Sequence, residues 1–263
     1  MLWGLVACFG VALFSTVGVF LAADIIRGSW PEIVNGHCIY YSEEDDLELM
    51  RERAEAATGV VYLTFDDGPS DYTAQLLDVL KKYNVKATFF VTGGGDDALI
   101  EREYREGHAL GSHTASHNYA YIYSNTDNFW ADVTLVQERI RRITGQTTWL
   151  MRFPGGSSNT VSRRYDGRQH IMSILTEEAG AKGWKYFDWN LDSGDAGGAR
   201  DENTVYERVV SGLRAGDNVV LQHDVKDYSV AAVERIIRYG QENGYIFLPL
   251  DMSSFDAHHG VNN

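Results

Sequence analysis

The sequence predicts an α/β fold: a parallel sheet rolled toward a distorted barrel and covered on its outside by helices. Three observations carry this. From Gly59 onward, apolar strand-like runs alternate with amphipathic helical stretches. At least six such strand–helix units follow one another. No Pro/Gly/Ser-rich or charged linker divides them, so the 263 residues fit one large domain behind a short N-terminal region.

The elements follow in order. "VVYLTF" reads as a strand stopped by Gly68-Pro69, and "DYTAQLLDVLKKYN" as a helix with Leu76, Leu77, Val79 and Leu80 inward. "ATFFVTG" is a strand. "NFWADVTLVQERIRRITG" is a helix that ends at Gly145, which can take the left-handed conformation of a C-cap. "TWLMRFPGG" is a strand and turn, "GRQHIMSILTEEAG" a helix and "WKYFDWN" a strand. The remaining units are the helix "NTVYERVVSGLR", the strand "DNVVLQHD", the helix "SVAAVERIIRYGQENG" and the strand "YIFLPL".

Before this lies a different chain. Leu2 to Ala23 is 22 residues without a charge, long enough to cross a bilayer as a helix. It is expected to be a transmembrane anchor, with a cleaved signal segment as the alternative. Residues 24–58 form an acidic spacer, whose end "YYSEEDDLELMRERAEAA" suits an exposed helix of mixed charge. A catalytic domain over 59–263 is then expected outside the cell membrane, or secreted if the segment is cleaved. The net charge of −14 argues against nucleic acid and against anionic headgroups as partners of the folded domain. The two cysteines, Cys8 and Cys38, make no disulfide framework.

In a sheet of this kind the loops leaving the C-terminal strand ends carry the site. Ionisable residues gather at those ends. Asp66 and Asp67 follow the first strand, and His113 and His117 stand in "GHALGSHTASHN". Arg152 stands in "RFPGG", Asp188, Asp192 and Asp195 in "DWNLDSGD", and His223 and Asp224 in "LQHD". Each taken alone is more often a surface or packing residue. Five coincidences at one end are not. On a helix, the four-residue spacing of His113 and His117 would put both imidazoles on one face. With a carboxylate they make the usual protein ligand set for zinc with open positions. A cation there also accounts for two adjacent aspartates: one is held ionised as a ligand, the other stays free as a base.

"TFDDGP", "HTASH", "RFPGG", the aspartate cluster and "LQHD" occur in the order seen in the polysaccharide deacetylases, the NodB-homology carbohydrate esterases, which residues 59–250 resemble. The resemblance implies a distorted (β/α) barrel of the NodB type. It implies Asp66 as catalytic base, Asp67, His113 and His117 as the metal triad, and Arg152 as the group that orients the base. Asp195 would support His223, the general acid. Leu221 would line the pocket for the acetyl methyl. Gly155 would offer its N–H to the oxyanion, at a place where the family commonly has an aromatic residue. Ala196 stands where the family often has Trp, which opens the groove. The end, "AHHGVNN", and "RFPGGSSNTVS" also look like membrane-anchored peptidoglycan-deacetylase-like members.

The implied reaction is metal-dependent hydrolysis of N-acetyl groups on an N-acetylated cell-wall polysaccharide, with peptidoglycan N-acetylglucosamine as the expected substrate. Chitin oligomers and O-acetylated xylan are alternatives. Zinc is the expected ion, and cobalt, manganese and nickel also occupy such N/O triads. Aspartyl-nucleophile phosphatases place their aspartates at i and i+2, not adjacent. Non-haem iron oxygenases share the ligand set but usually sit on all-β scaffolds. A catalytically weak glycan-binding relative is disfavoured by the complete polar set. Tyr119, Tyr121, Tyr123 and Trp189 are candidates for the groove wall, and His258-His259 is expected on a surface tail.

Overall fold

The computed structural model describes residues 32–34, 37–39 and 57–262. The expected anchor, and the part of the spacer expected to be helical, lie outside the described residues. No helix among the described residues is long and apolar enough to cross a membrane. The chain divides into two compact units, 1–55 and 56–263. In the first, β1 (Glu32–Val34) and β2 (His37–Ile39) pair antiparallel, with Ile33 opposite Cys38. The intervening sequence Asn35-Gly36 is a strong two-residue hairpin signal.

The second unit begins with β3 (Gly59–Asp66), α1 (Thr73–Lys82) and β4 (Thr88–Val91). Then come α2 (Asp97–Arg105), β5 (Ala109–Ser112), the short α3 (Tyr119–Ile122), α4 (Thr126–Thr144) and β6 (Leu150–Met151). α5 (Ile171–Ala181), β7 (Lys185–Tyr186), β8 (Leu191–Asp192) and α6 (Glu202–Gly212) follow. β9 (Gly216–His223), α7 (Asp227–Glu242) and β10 (Tyr245–Phe247) end the set. The eight strands make one sheet in the order β7-β6-β5-β4-β3-β9-β8, with β10 beside the start of β3. All its pairings are parallel. The path ends at β7 and β8, so the barrel expected from the alternation is a half-barrel.

Strand alternation sorts the side chains into two layers. Val61, Leu63 and Phe65 of β3, with Val220 of β9, pack outward against Leu76, Leu77 and Leu80 of α1 in the main core cluster. Val79 is only partly buried at its edge. Burying a leucine of this kind fully contributes about 1.5–3 kcal/mol. The opposite faces point inward. Tyr62, Phe90, Leu150, Phe187 and Val219 form a smaller apolar cluster inside the sheet. Above them along the same faces come Thr64 and Asp66, His113, Arg152, and Leu221 and His223. The interior thus passes from apolar to polar toward the C-terminal strand ends.

Local signals set the helix ends. Asp96, Asn125 and Asp201 accept hydrogen bonds from the first-turn backbone of α2, α4 and α6, caps worth about 1 kcal/mol each. Gly145, at φ 77°, ends α4 as the sequence predicts. The C-terminal residues do not simply lie on the surface. Ala257 is buried in the inner apolar cluster, and its carbonyl accepts from Asp188 N–H at 2.7 Å, between β7 and β8. His258 stacks on Tyr186 with ring centroids 3.9 Å apart.

Candidate active site

Asp66 is the last residue of β3 and faces inward; plain alternation would send Asp67 to the outer face. Asp67 instead takes φ 74°, a left-handed conformation that aspartate tolerates better than most residues. The twist turns its carboxylate toward the end of β5. Its Oδ1 lies 3.6 Å from His113 Nε2 and 3.4 Å from His117 Nε2. Asp66 Oδ2 is also 3.8 Å from His113 Nε2.

The two histidines are not on a helix, contrary to the expectation from their spacing. His113 directly follows β5, and His117 lies in a loop with φ 48°, with Thr114 at φ 65° between them. The two left-handed residues curl the loop so that the imidazoles still meet, their centroids 5.2 Å apart. Asp132 holds the loop by accepting from Ser116 N–H and Oγ–H at 2.8 and 2.9 Å.

These residues fit a divalent cation. Asp67 Oδ1 is buried and has no hydrogen-bond partner among the described residues, a costly state for a carboxylate oxygen unless a cation meets it. Bonds of about 2.0–2.2 Å at tetrahedral angles would put donor atoms roughly 3.4 Å apart, close to the spacings here. His113 Nδ1 lies 2.9 Å from the Arg152 carbonyl, which fixes the tautomer with a lone pair on Nε2. Burial lowers the His113 pKa, against the pull of Asp66 and Asp67, and so favours the neutral ring a ligand needs.

Arg152 is fully buried. Its Nη1 donates to Asp66 Oδ1 at 2.8 Å and to Thr64 Oγ1 at 2.6 Å. Nε donates to Phe187 O and Nη2 to Asp188 O, both at 2.9 Å. Phe90 lies under the guanidinium, 4.4 Å to the ring centroid. Across the sheet, His223 is the register partner of Asp66. Its Nδ1 lies 2.8 Å from Asp195 Oδ1, and Nε2 has no hydrogen-bond partner among the described residues. Asp195 Oδ2 accepts from His223 N–H and from Ser229 Oγ–H. Burial alone would lower the His223 pKa. The hydrogen bond and charge of Asp195, with Asp66 and Asp67, outweigh it and raise the value to about 9. Burial opposes ionisation of Asp195, and the bonds from His223 and Ser229 still hold its pKa below the usual carboxylate value.

The two residues expected to meet substrate, Gly155 and Leu221, stand three residues after Arg152 and two before His223. Gly155 has φ 78°, and its N–H donates to no described residue. Leu221 is buried on the inward face of β9, two residues before His223. Of the candidate wall aromatics, Tyr123 is fully buried and donates to Pro154 O at 2.7 Å, so it is core. Tyr121 is exposed, while Tyr119 and Trp189 are half-buried. Asp192 accepts from Gly194 N–H and shapes a local turn. Asp224 turns away from the site and accepts from Thr73 Oγ1 at the start of α1.

Sequence reasoning expects of Asp188 no catalytic part, only that of a cap or loop anchor, and it anchors two segments. Its carboxylate is fully buried and accepts from Ser157 N–H at 2.7 Å, Ser157 Oγ–H at 2.5 Å and His259 N–H at 2.8 Å. It ties the loop that carries Gly155 to the C-terminal residues, while its own carbonyl holds Arg152. His259 completes the tie, with Nδ1 3.2 Å from Ser158 Oγ and Nε2 2.7 Å from Trp189 O. The buried donors and acceptors in "DWN" and "AHH" carry no local pattern that would announce this pairing.

The polysaccharide deacetylase family model matches residues 53–171. A peptidoglycan-N-acetylglucosamine deacetylase of Bacillus cereus is 34% identical over 222 residues, spanning 78% of this chain and 76% of its own. A chitin deacetylase of Colletotrichum lindemuthianum is 32% identical over 202 residues, 71% of this chain and 76% of its own. Among solved structures, the catalytic domain of peptidoglycan N-acetylglucosamine deacetylase from Eubacterium rectale superposes with a TM-score of 0.75. It is 48% identical, over 78% of this chain and 94% of its own.

Proposed function

The chain belongs to the polysaccharide deacetylase family, and from that footing we propose that it removes N-acetyl groups from the N-acetylglucosamine of peptidoglycan in a divalent-metal-dependent hydrolysis. One observation supports the metal above all: the buried, otherwise unpartnered Asp67 Oδ1 beside two imidazole nitrogens. Asp67, His113 and His117 would hold the ion, with zinc the first choice. When bound there, it supplies the charge that polarises an amide carbonyl and acidifies water.

The other roles belong to this chain's own side chains and backbone. Asp66 takes the proton from the attacking water. Arg152 fixes the base carboxylate through Oδ1, so that Oδ2 faces the site. The Gly155 N–H donates to the amide oxygen as it gains charge. His223 carries a proton on Nε2, and Asp195 holds the imidazolium in place by charge and by the Nδ1 hydrogen bond. As the C–N bond breaks, that proton passes to the amine nitrogen, leaving a free amino sugar and acetate. Leu221 packs against the acetyl methyl.

Chitin oligomers are the second reading, favoured by the similar identity to the Colletotrichum enzyme. We further propose residues 1–23 as anchor or leader and 24–58 as spacer, placing the catalytic domain outside the membrane. The test is acetate release from purified peptidoglycan and from chitin oligomers, by zinc-loaded and chelator-stripped protein. Release that needs the ion and is faster on peptidoglycan supports the reading. No release from either glycan by loaded, folded protein overturns it.

A further inference from the structure

The left-handed backbone at Gly155 leaves room beside it that a neighbouring loop fills. A Cβ at position 155 would lie 2.8 Å from Tyr119 Oη and 3.4 Å from Tyr119 Cε1. Tyr119 comes two residues after His117, and its ring meets that imidazole edge-on at 5.4 Å. Its other neighbour is the Tyr123 ring at 5.6 Å, and Tyr123 is anchored to Pro154 O, one residue before Gly155. The phenol is thus held between the histidine loop and the Gly155 turn. Its hydroxyl donates to no described residue, and the side chain is half-buried.

We propose that Tyr119 Oη is a substrate-contacting hydrogen-bond donor, which reaches the carbonyl oxygen of the scissile acetamide alongside the Gly155 N–H. The assignment rests on the deacetylase reading of the site. A tyrosine phenol, with an ordinary pKa of about 10, is neutral at the pH where these groups work. It can therefore donate throughout the range in which the other groups work. The same ring stands beside the turn where Gly155 has no side chain.

The test compares the full chain with Tyr119→Phe, which keeps the ring, and with Tyr119→Ala. We expect Tyr119→Phe to lower kcat on an N-acetylated glycan by roughly a hundredfold, the usual scale for one oxyanion donor, with KM within threefold. Zinc affinity by calorimetry should be unchanged. Binding of an N-acetylated chito-oligomer to metal-stripped protein should change by no more than threefold. Tyr119→Ala should lose more in both kcat and KM. A wild type that turns over while Tyr119→Phe matches it within twofold overturns the Tyr119 assignment alone. So does a loss confined to KM, which would place the hydroxyl on the sugar instead. A wild type that neither binds nor turns over any N-acetylated glycan overturns the reading of the site and this assignment with it.

Discussion

Arg152 Nη1 meets Asp66 Oδ1 at 2.8 Å with both side chains buried. A guanidinium here does what a lysine could not: its planar fork reaches Thr64, Asp66 and the Phe187 and Asp188 carbonyls at once. Arg152→Met should leave the Asp66 carboxylate buried without its cation. We expect a loss of about 3–5 kcal/mol in urea unfolding, together with loss of turnover. Unchanged stability would mean that Asp66 finds another partner.

Asp66→Asn should separate the base from the ligands. The substitution keeps shape and removes proton affinity, so zinc affinity by calorimetry should hold while kcat falls by about 10²–10⁴. Asp67→Ala should do the reverse first, removing the ion and, through it, activity. Asp66→Asn with full activity would move the base elsewhere.

His223 should set the alkaline limit of activity. With its pKa raised to about 9, it carries its proton up to that pH. Part of the rise comes from Asp66 and Asp67, so a cation on Asp67 should bring the limb somewhat below 9. Asp195→Asn removes the largest raising influence and should shift the alkaline limb of kcat toward acid by at least a pH unit. Stability should follow the same sign. The His223–Asp195 contribution is full below the ordinary histidine value of 6.5 and is lost as pH rises through about 9. An alkaline limb unmoved by Asp195→Asn would exclude His223 as its source.

Removal of residues 258–263 should test the tie at Asp188. It deletes the His259 N–H and the bridges to Ser158 and Trp189. Melting temperature should drop by several degrees and kcat several-fold, with zinc affinity unchanged. Asp188→Asn should reproduce the direction of both changes. A truncated chain with unaltered kcat would show that the loop bearing Gly155 holds without the tie.

Much of this was legible because two strands are long. β3 and β9 run for eight residues each, and their polar ends stand out against the apolar run. The short elements do not. β6, β7 and β8 have two residues each, too few to show any alternation. β5 reads "ALGS", without β-branched or aromatic residues, so the strand that delivers His113 passes for connecting chain. The His113–His117 spacing pointed to the right partners through the wrong local geometry, because left-handed residues in the intervening loop leave no mark in the side-chain pattern. Asp188 and His259 are 71 residues apart, and only the folded chain brings them together.

The left-handed turn at Asp67 means that the two neighbouring acids diverge within a single peptide unit. Their separation is fixed by bond lengths and torsions rather than by how two loops happen to settle. Substitutions in distant packing can displace the histidines or the arginine, but they have little leverage on the offset between Asp66 and Asp67. Variation among related chains should therefore tune what surrounds this pair far more readily than the pair itself.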